Sequence, residues 1–476
     1  MYARHVCSSL LILLLLVCAP LTSRAEVRLP RIFSNNMVLQ RDAPLPIWGW
    51  AEPGEKVTVR FAEQEKTATT ADDGRWQVKL DPLAASSEPR DMQIHSSPDT
   101  PDSTLNNVLV GEVWLCSGQS NMEWTVRQSA DSQEEIAAAN HPQIRHIKIA
   151  HTPAAEPQDD LKTDGWKECS PQTAAGFTAV GYYFGRQLHK ELNVPVGLIG
   201  SNWGGTRIEP WTSPEGFRSV KALQNIADKL DQFPEKKGNK VQHQSALALY
   251  NGMIHPLVPF AIRGALWYQG ESNNGEGMLY HAKMKALING WRAVWQQGDF
   301  PFLFVQLAPY RYGGARGNAA NLPGIWQAQL ATLGLSNTGM AVTTDIGNVT
   351  DIHPKNKQEV GRRLALWALA KTYGRKNLVY SGPLYRSHVF ESNAIRVVFD
   401  HADGLKSADD MSLSHFEVAG EDRTFMPAAT RIDGCTVLVS GVDNPVAVRF
   451  AWHQQAEPNL VNAAGLPASA FRTDDW

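Results

Sequence analysis

In Val108-Leu109-Val110-Gly111-Glu112-Val113-Trp114-Leu115-Cys116-Ser117-Gly118-Gln119-Ser120-Asn121-Met122 an apolar run breaks into a polar turn. Val108 to Leu115 is short, apolar and rich in β-branched residues, the pattern of a strand buried on both faces. Such strands belong to parallel sheets covered by helices. The turn beyond their C-terminal ends is where open α/β sheets gather ligands. Ser120 stands in that turn, just before an expected helix, and its hydroxyl is therefore a candidate nucleophile. Met122 occupies the place of the second glycine in a G-x-S-x-G elbow, so the turn is not of that kind.

Downstream, strand and helix patterns alternate. Phe177, Val180, Phe184, Leu188 and Leu192 form one apolar helical stripe, followed by a buried strand at Val196-Gly197-Leu198-Ile199-Gly200. Further strands are expected at Ile262 to Tyr268, Phe302 to Leu307 and Met340 to Asp345, with helices at Ala282 to Trp295 and Ile325 to Leu333. A last helix, Lys357 to Tyr373, stops at Gly374. This alternation predicts a largely parallel sheet covered by helices on both faces, an α/β domain over residues 105–375. Residues 26–104 read as a β-rich domain, with short strands at Leu45 to Trp50, Lys56 to Phe61 and Trp76 to Leu80. A polar, proline-containing linker, Ser96 to Ser103, closes it. Residues 376–476 read as a second β-rich domain, with runs at Ala394 to Phe399 and Thr436 to Val439.

A chain of 476 residues is expected to hold two or three domains. Its net charge of -3 leaves no basic footprint, which argues against a nucleic-acid partner. Residues 1–25 read as a signal peptide: Arg4 and His5 precede the apolar run Leu10 to Val17, and Ser23-Arg24-Ala25 fits a cleavage site. The mature chain then starts at Glu26 and is expected to be soluble and periplasmic or secreted. Val17, before Cys18, does not suit lipid attachment. No later segment is long and apolar enough to span a membrane. Cys116, Cys169 and Cys435 are too few for a disulfide framework; Cys116 reads as a core residue, leaving Cys169 and Cys435 as the pair open to a bridge. No His/Cys/Asp/Glu cluster has metal-ligand spacing and no glycine-rich phosphate loop appears, so no metal or cofactor is expected.

A nucleophilic serine needs a base, a group to orient that base, and donors facing the oxyanion. His353, after a buried strand and before a helix, is the clearest base. Asp351 lies two residues away, and Asp345 at the strand end competes as its orienter. Ser201-Asn202-Trp203-Gly204-Gly205-Thr206-Arg207 follows another strand, and its paired glycines allow close backbone approach. Trp267-Tyr268-Gln269-Gly270-Glu271-Ser272-Asn273 ends a fourth strand and offers side-chain amides. His255 reads as a core residue; His243, His281 and His401 read as solvated.

Gly118-Gln119-Ser120-Asn121-Met122, the Trp267 to Asn273 block and Asp351-Ile352-His353-Pro354 together resemble the sialate O-acetylesterases of the SGNH hydrolase superfamily. Asn36-Met37-Val38-Leu39-Gln40-Arg41 and Pro46-Ile47-Trp48-Gly49-Trp50 resemble that family's opening segment, and the resemblance covers most of the chain before about residue 375. It implies a three-layer α/β/α, flavodoxin-like SGNH hydrolase domain over residues 105–375, with Ser120 as nucleophile and His353 as base. It also implies an oxyanion hole formed by the Ser120 N–H, an N–H of Gly204 or Gly205, and a side chain of the third block, Gln269 or Asn273. Where the superfamily has Gly-x-Asn this chain reads Gln269-Gly270-Glu271, and the usual Asp-x-x-His is shortened to Asp351-x-His353. The orienter is thus Asp351, Asp345 or a backbone carbonyl. Gln119, Trp203, Arg207 and Glu271 are the expected substrate contacts, Arg207 because guanidinium suits a carboxylate; the alternatives are that Arg207 pairs with Glu209 and that Glu271 holds the oxyanion loop. Trp211 is a second aromatic that could stack on a sugar. The implied partner is an O-acetylated carbohydrate and the implied activity sialate O-acetyl ester hydrolysis. An acetylxylan or pectin-type esterase is the alternative within enzymes; a non-catalytic carbohydrate binder is the alternative outside them.

Overall fold

The computed structural model describes residues 27–96, 103–314 and 317–476. The expected signal peptide, Cys18 and most of the expected linker lie outside them. Among the described residues, seven strands precede Ser120: β1 (Val38–Gln40), β2 (Leu45–Trp50), β3 (Lys56–Phe61), β4 (Gln64–Thr69), β5 (Arg75–Leu80), β6 (Ser86–His95) and β7 (Ser103–Gly118). β2 and β5 pair antiparallel from Leu45↔Leu80 to Trp50↔Arg75, and each buries alternate residues, as period-two patterning requires. β3 pairs with both β4 and β6.

The chain continues through α1 (Ser120–Glu123), α2 (Ser132–Ala137), β8 (His141–Ile149), β9 (Thr163–Cys169), α3 (Ala179–Leu192) and β10 (Val196–Asn202). Next come α4 (Pro214–Arg218), α5 (Gln224–Ala227) and a ribbon of β11 (Lys236–Lys237) and β12 (Lys240–Val241). β13 (Gly264–Tyr268), α6 (Met278–Trp295), β14 (Phe302–Val305), α7 (Asn321–Thr332), β15 (Thr338–Ala341) and α8 (Lys357–Trp367) complete this part.

β7 is longer than its apolar run because it serves two sheets. Its first residues pair antiparallel with β6, Ser103↔Ile94 and Leu105↔Met92. From Val108 onward every residue is buried. There β1 joins in parallel at Leu109 to Gly111, while β10 and β13 flank Glu112 to Gly118 and Trp114 to Gly118. The lone charge in this run, Glu112, is fully buried and held by Arg41 (2.5 Å) and Arg263 (2.7 Å), which offsets the cost of burying it.

The central sheet has the order β15-β14-β13-β7-β10-β8-β9, parallel throughout except for β9. Leaving out β8 and β9, the order is that of a flavodoxin-like fold, and the strand order reverses beside β7. Helices α3 and α8 pack together on one face, where Gly361 lets them approach: a Cβ there would lie 2.7 Å from Tyr183 Cβ. Helix α6 packs against both α4 and α7 in the other helical layer. β8 and β9 were not foreseen, because Arg145, His146 and Lys148 interrupt the isoleucines of β8. Arg145 is nevertheless buried, donating to the carbonyls of Pro142, Asn36 and Asn107 at 2.8–3.0 Å.

Beyond α8 a wider helical turn, Ala368–Thr372, runs to Gly374, whose φ of +65° ends it. Two four-stranded antiparallel sheets follow. One holds Leu384–Glu391, Ala394–Asp400, Ala429–Asp433 and Thr436–Ser440; the other holds Phe416–Ala419, Phe425–Pro427, Ala447–Phe450 and Phe471–Arg472. Gln454 ties this part to the loop after β14 through Tyr310 and Tyr312. Cys169 and Cys435 form no bridge: the first is buried against the Ala139 carbonyl, the second exposed.

Candidate active site

β7 ends at Gly118, where φ is +134° and a Cβ would lie 2.2 Å from the Tyr268 carbonyl oxygen. Only glycine fits there, and the next amide, Gln119 N–H, donates to that same carbonyl (2.9 Å). The chain then turns into α1, so the Ser120 N–H is the first amide of a helix and has no intrahelical acceptor. Met122, at the place of the missing elbow glycine, is fully buried.

His353 arrives from the opposite side, on the loop between β15 and α8. Its Nε2 lies 2.8 Å from Ser120 Oγ. Trp124, just after α1, stacks on the imidazole at 4.7 Å and 17°. Burial and the charge of Lys357 push His353 below its ordinary pKa, with Asp351 opposing them. The imidazole is therefore neutral, and able to accept a proton, at neutral pH.

Asp351 Oδ1 accepts the His353 backbone N–H (2.9 Å) but stands 3.9 Å from Nδ1, beyond hydrogen-bond range. Asp345 does not face the histidine. It forms a bidentate pair with buried Arg363, both bonds 2.6 Å.

The β10 loop passes close to the serine. A Cβ on Gly204 would lie 3.3 Å from Ser120 Cβ, and Gly205 has φ +73°. The Gly204 N–H is engaged: it donates to Glu123 Oε2 (2.6 Å). Glu123 also meets His151 (2.7 Å) and Lys148 (3.4 Å). Burial works against its ionised form, but the His151 bond, the Lys148 charge and the Gly204 N–H outweigh it and hold the carboxyl at about 2.

A sequence model of the carbohydrate esterase family of sialic acid-specific acetylesterases matches residues 110–370. The chain belongs to this family. It is 35% identical to the sialate O-acetylesterase of Homo sapiens, over 97% of this chain and 95% of that protein, and 31% identical to that of Mus musculus, over 92% of each. Among solved structures it resembles a carbohydrate acetylesterase from Xanthomonas citri, with 38% identity, a TM-score of 0.86, and 94% of this chain and 100% of that one covered.

Several expected residues sit elsewhere in this esterase than the sequence suggested. Gln269, expected to complete the oxyanion hole, is fully buried; its Nε2 donates to Thr206 O (3.2 Å) and Asn273 Oδ1 (2.7 Å), and its Oε1 accepts from Tyr280. Asn273, the other expected donor, spends its amide on Glu209 and Glu276, both 3.1 Å. Arg207 is neutralised by the same two glutamates and also donates to Ser272 O (3.1 Å), while buried Lys283 contacts both acids at 2.7 Å. This is a structural ion-pair network and not a free guanidinium. Glu271 is buried and faces Asn121 instead of an open rim. Trp203 is stacked between His151 (4.2 Å) and His243 (4.7 Å), so its faces are already covered; Trp211 is fully buried. Gln119 is buried beside Ser120; its Oε1 accepts the Ser272 N–H (3.2 Å) and its Nε2 has no protein acceptor among the described residues. His255, expected in the core, is half-buried and donates from Nδ1 to Gln158 O (2.9 Å). His243, His281 and His401 are half-buried, not solvated, because each packs on a partner: Trp203, Thr332 and Tyr380.

Glu123 went unnoticed in the sequence. The signal was there: it lies three residues after Ser120, on the same face of one helical turn.

Proposed function

We propose that this acetylesterase removes O-acetyl groups from a sugar through a serine acetyl-enzyme. The 2.8 Å contact between Ser120 Oγ and His353 Nε2 carries the proposal. Ser120 attacks the acetyl carbonyl as His353 takes its proton; the Ser120 N–H, the Gly205 N–H and the Gln119 side-chain amide face the oxyanion. The imidazolium then protonates the departing sugar hydroxyl, and a water activated by the same histidine releases acetate. Asp351 supports the imidazolium through its charge, and its bond to the His353 N–H fixes the loop. The reading also includes export, since residues 1–25 have the pattern of a signal peptide and no helix among the described residues is long and apolar enough to cross a membrane.

The family points to O-acetylated sialic acid as substrate. One observation favours a second reading, a neutral acetylated polysaccharide such as xylan or pectin: Arg207, the expected partner of a sialate carboxylate, is already matched by Glu209 and Glu276. Acetate release measured across O-acetylated sialic acids and acetylated plant oligosaccharides separates the two. Preference for the plant substrates overturns the sialate assignment. Ser120→Ala is expected to abolish acetate release and labelling by a fluorophosphonate; near-native turnover in that variant overturns the nucleophile, and a native protein that neither turns over nor labels would be a binder.

A further inference from the structure

Behind the reacting pair lies a polar cluster that the steps above do not use. Asn121, next to the nucleophile, donates from Nδ2 to Glu271 Oε1 (2.6 Å) and to the carbonyl of Ile352 (2.9 Å), the residue before His353. Its Oδ1 accepts from Lys357 Nζ. Lys357 opens α8 and is fully buried, 5.1 Å from the Tyr268 ring and 5.6 Å from the Trp124 ring that stacks on His353. A backbone carbonyl can only accept, so Nδ2 must face Ile352 and Oδ1 must face Lys357. The amide therefore has one orientation, and flipping it would set its oxygen against the Ile352 carbonyl. Surface solubility or helix capping explains none of this: three polar side chains, from three segments, meet out of water between the nucleophile turn and the base loop.

We propose that Asn121, Lys357 and Glu271 are positioning residues, in which the clamped amide of Asn121 ties the turn carrying Ser120 to the loop carrying His353 and so sets the distance between them. The inference rests on Ser120 and His353 being the reacting pair. Lys357 has a second effect that a purely structural residue would lack. The charged groups facing His353 are Lys357 from α8 and Asp351 from its own loop, with Ser120 of α1 and Trp124 just after it as neutral neighbours; Glu271 acts on Lys357. Burial pushes Lys357 down to about 7, against the pull of Glu271 and Asp351, so below neutrality it is a cation close to the imidazole and disfavours a second positive charge there.

The test uses the full-length protein and an aryl acetate. Lys357→Met and Asn121→Ala are expected to lower kcat by about 10²-fold, the size of effect that a misplacement of about 1 Å produces, with KM unchanged because none of the three side chains touches substrate. Lys357→Met should also move the acid limb of kcat/KM to higher pH, because the imidazole then protonates more easily. Glu271→Gln keeps the acceptor for Asn121 and should retain kcat, whereas Glu271→Leu should lose it. A folded Lys357→Met protein with native kcat and an unmoved acid limb overturns the inference, as does a change confined to KM. If Lys357→Met does not fold, Asn121→Ala and the Glu271 pair read the same split between kcat and KM. Labelling of native protein by a fluorophosphonate at a residue other than Ser120 overturns the reacting pair itself, and this inference with it; labelling at Ser120 with native kcat in the variants overturns this inference alone.

Discussion

Asp351→Asn should cost this enzyme far less than loss of the acid costs an enzyme with a buried triad. The relevant separation is 3.9 Å from Asp351 Oδ1 to His353 Nδ1, with the two side chains 42% and 27% exposed. Two unit charges at that distance interact by about 1 kcal/mol in water and about 4 kcal/mol at an effective dielectric of roughly 20. Exposure at this level places the pair toward the watery limit. A loss of about 1 to 2 kcal/mol in stabilising the imidazolium corresponds to about a tenfold fall in kcat/KM, because 1.4 kcal/mol is a factor of ten. Removing a buried, hydrogen-bonded triad aspartate instead costs about 10⁴-fold. Since Asp351 raises the His353 pKa, the acid limb of the pH profile should also move to lower pH in the variant. The assay is acetate release from an aryl acetate, from pH 4 to 9, with thermal melting as the folding control. A fall of 10³-fold or more at unchanged melting temperature refutes the reasoning, because it would require a direct Asp351–Nδ1 bond in the reacting complex. Asp345→Asn is the contrast: it should lower stability through Arg363 and leave the pH profile in place.

Two other outcomes bear on the scaffold. Gly118→Ala should destabilise the protein by about 3 kcal/mol or more, since both the left-handed φ and the Tyr268 carbonyl at 2.2 Å stand against a side chain; chemical denaturation reads it, and a loss under about 1 kcal/mol would refute the account. Glu123, held at about 2 against its ordinary 4.5, stabilises the fold fully above 4.5 and loses that contribution as pH falls toward 2. Glu123→Gln should therefore flatten the acid side of the stability curve between those values, and a curve parallel to the native one would show that the carboxylate is not so held.

The catalytic sheet was legible where burial on both faces leaves an uninterrupted apolar run, as in β7, β10 and β13. It was hidden in β8, where Arg145 and His146 are accepted into the interior only because carbonyls and the Phe177 ring receive them. The Ser120 and His353 pairing followed from both residues standing past strand ends on one edge of the sheet. Gln269, Asn273 and Arg207 misled for the complementary reason. Their chemistry suits a substrate, but the protein itself engages it: Glu209 and Glu276 take up the Arg207 guanidinium and the Asn273 amide, and Thr206, Asn273 and Tyr280 take up the Gln269 side chain. Placement at a sheet edge is encoded locally; which donors stay unengaged depends on neighbours brought by other segments.

Because β7 is a single strand shared by two sheets, the nucleophile turn sits at the end of a rod whose other end is anchored outside the hydrolase layers. Trimming the chain to begin at residue 105 would strip β1 and β6 from that rod and leave a long row of unmet backbone donors and acceptors, an invitation to self-association. The N-terminal strands therefore cannot be exchanged like a cassette: any recombined or shortened version must carry them along to keep Ser120 in place.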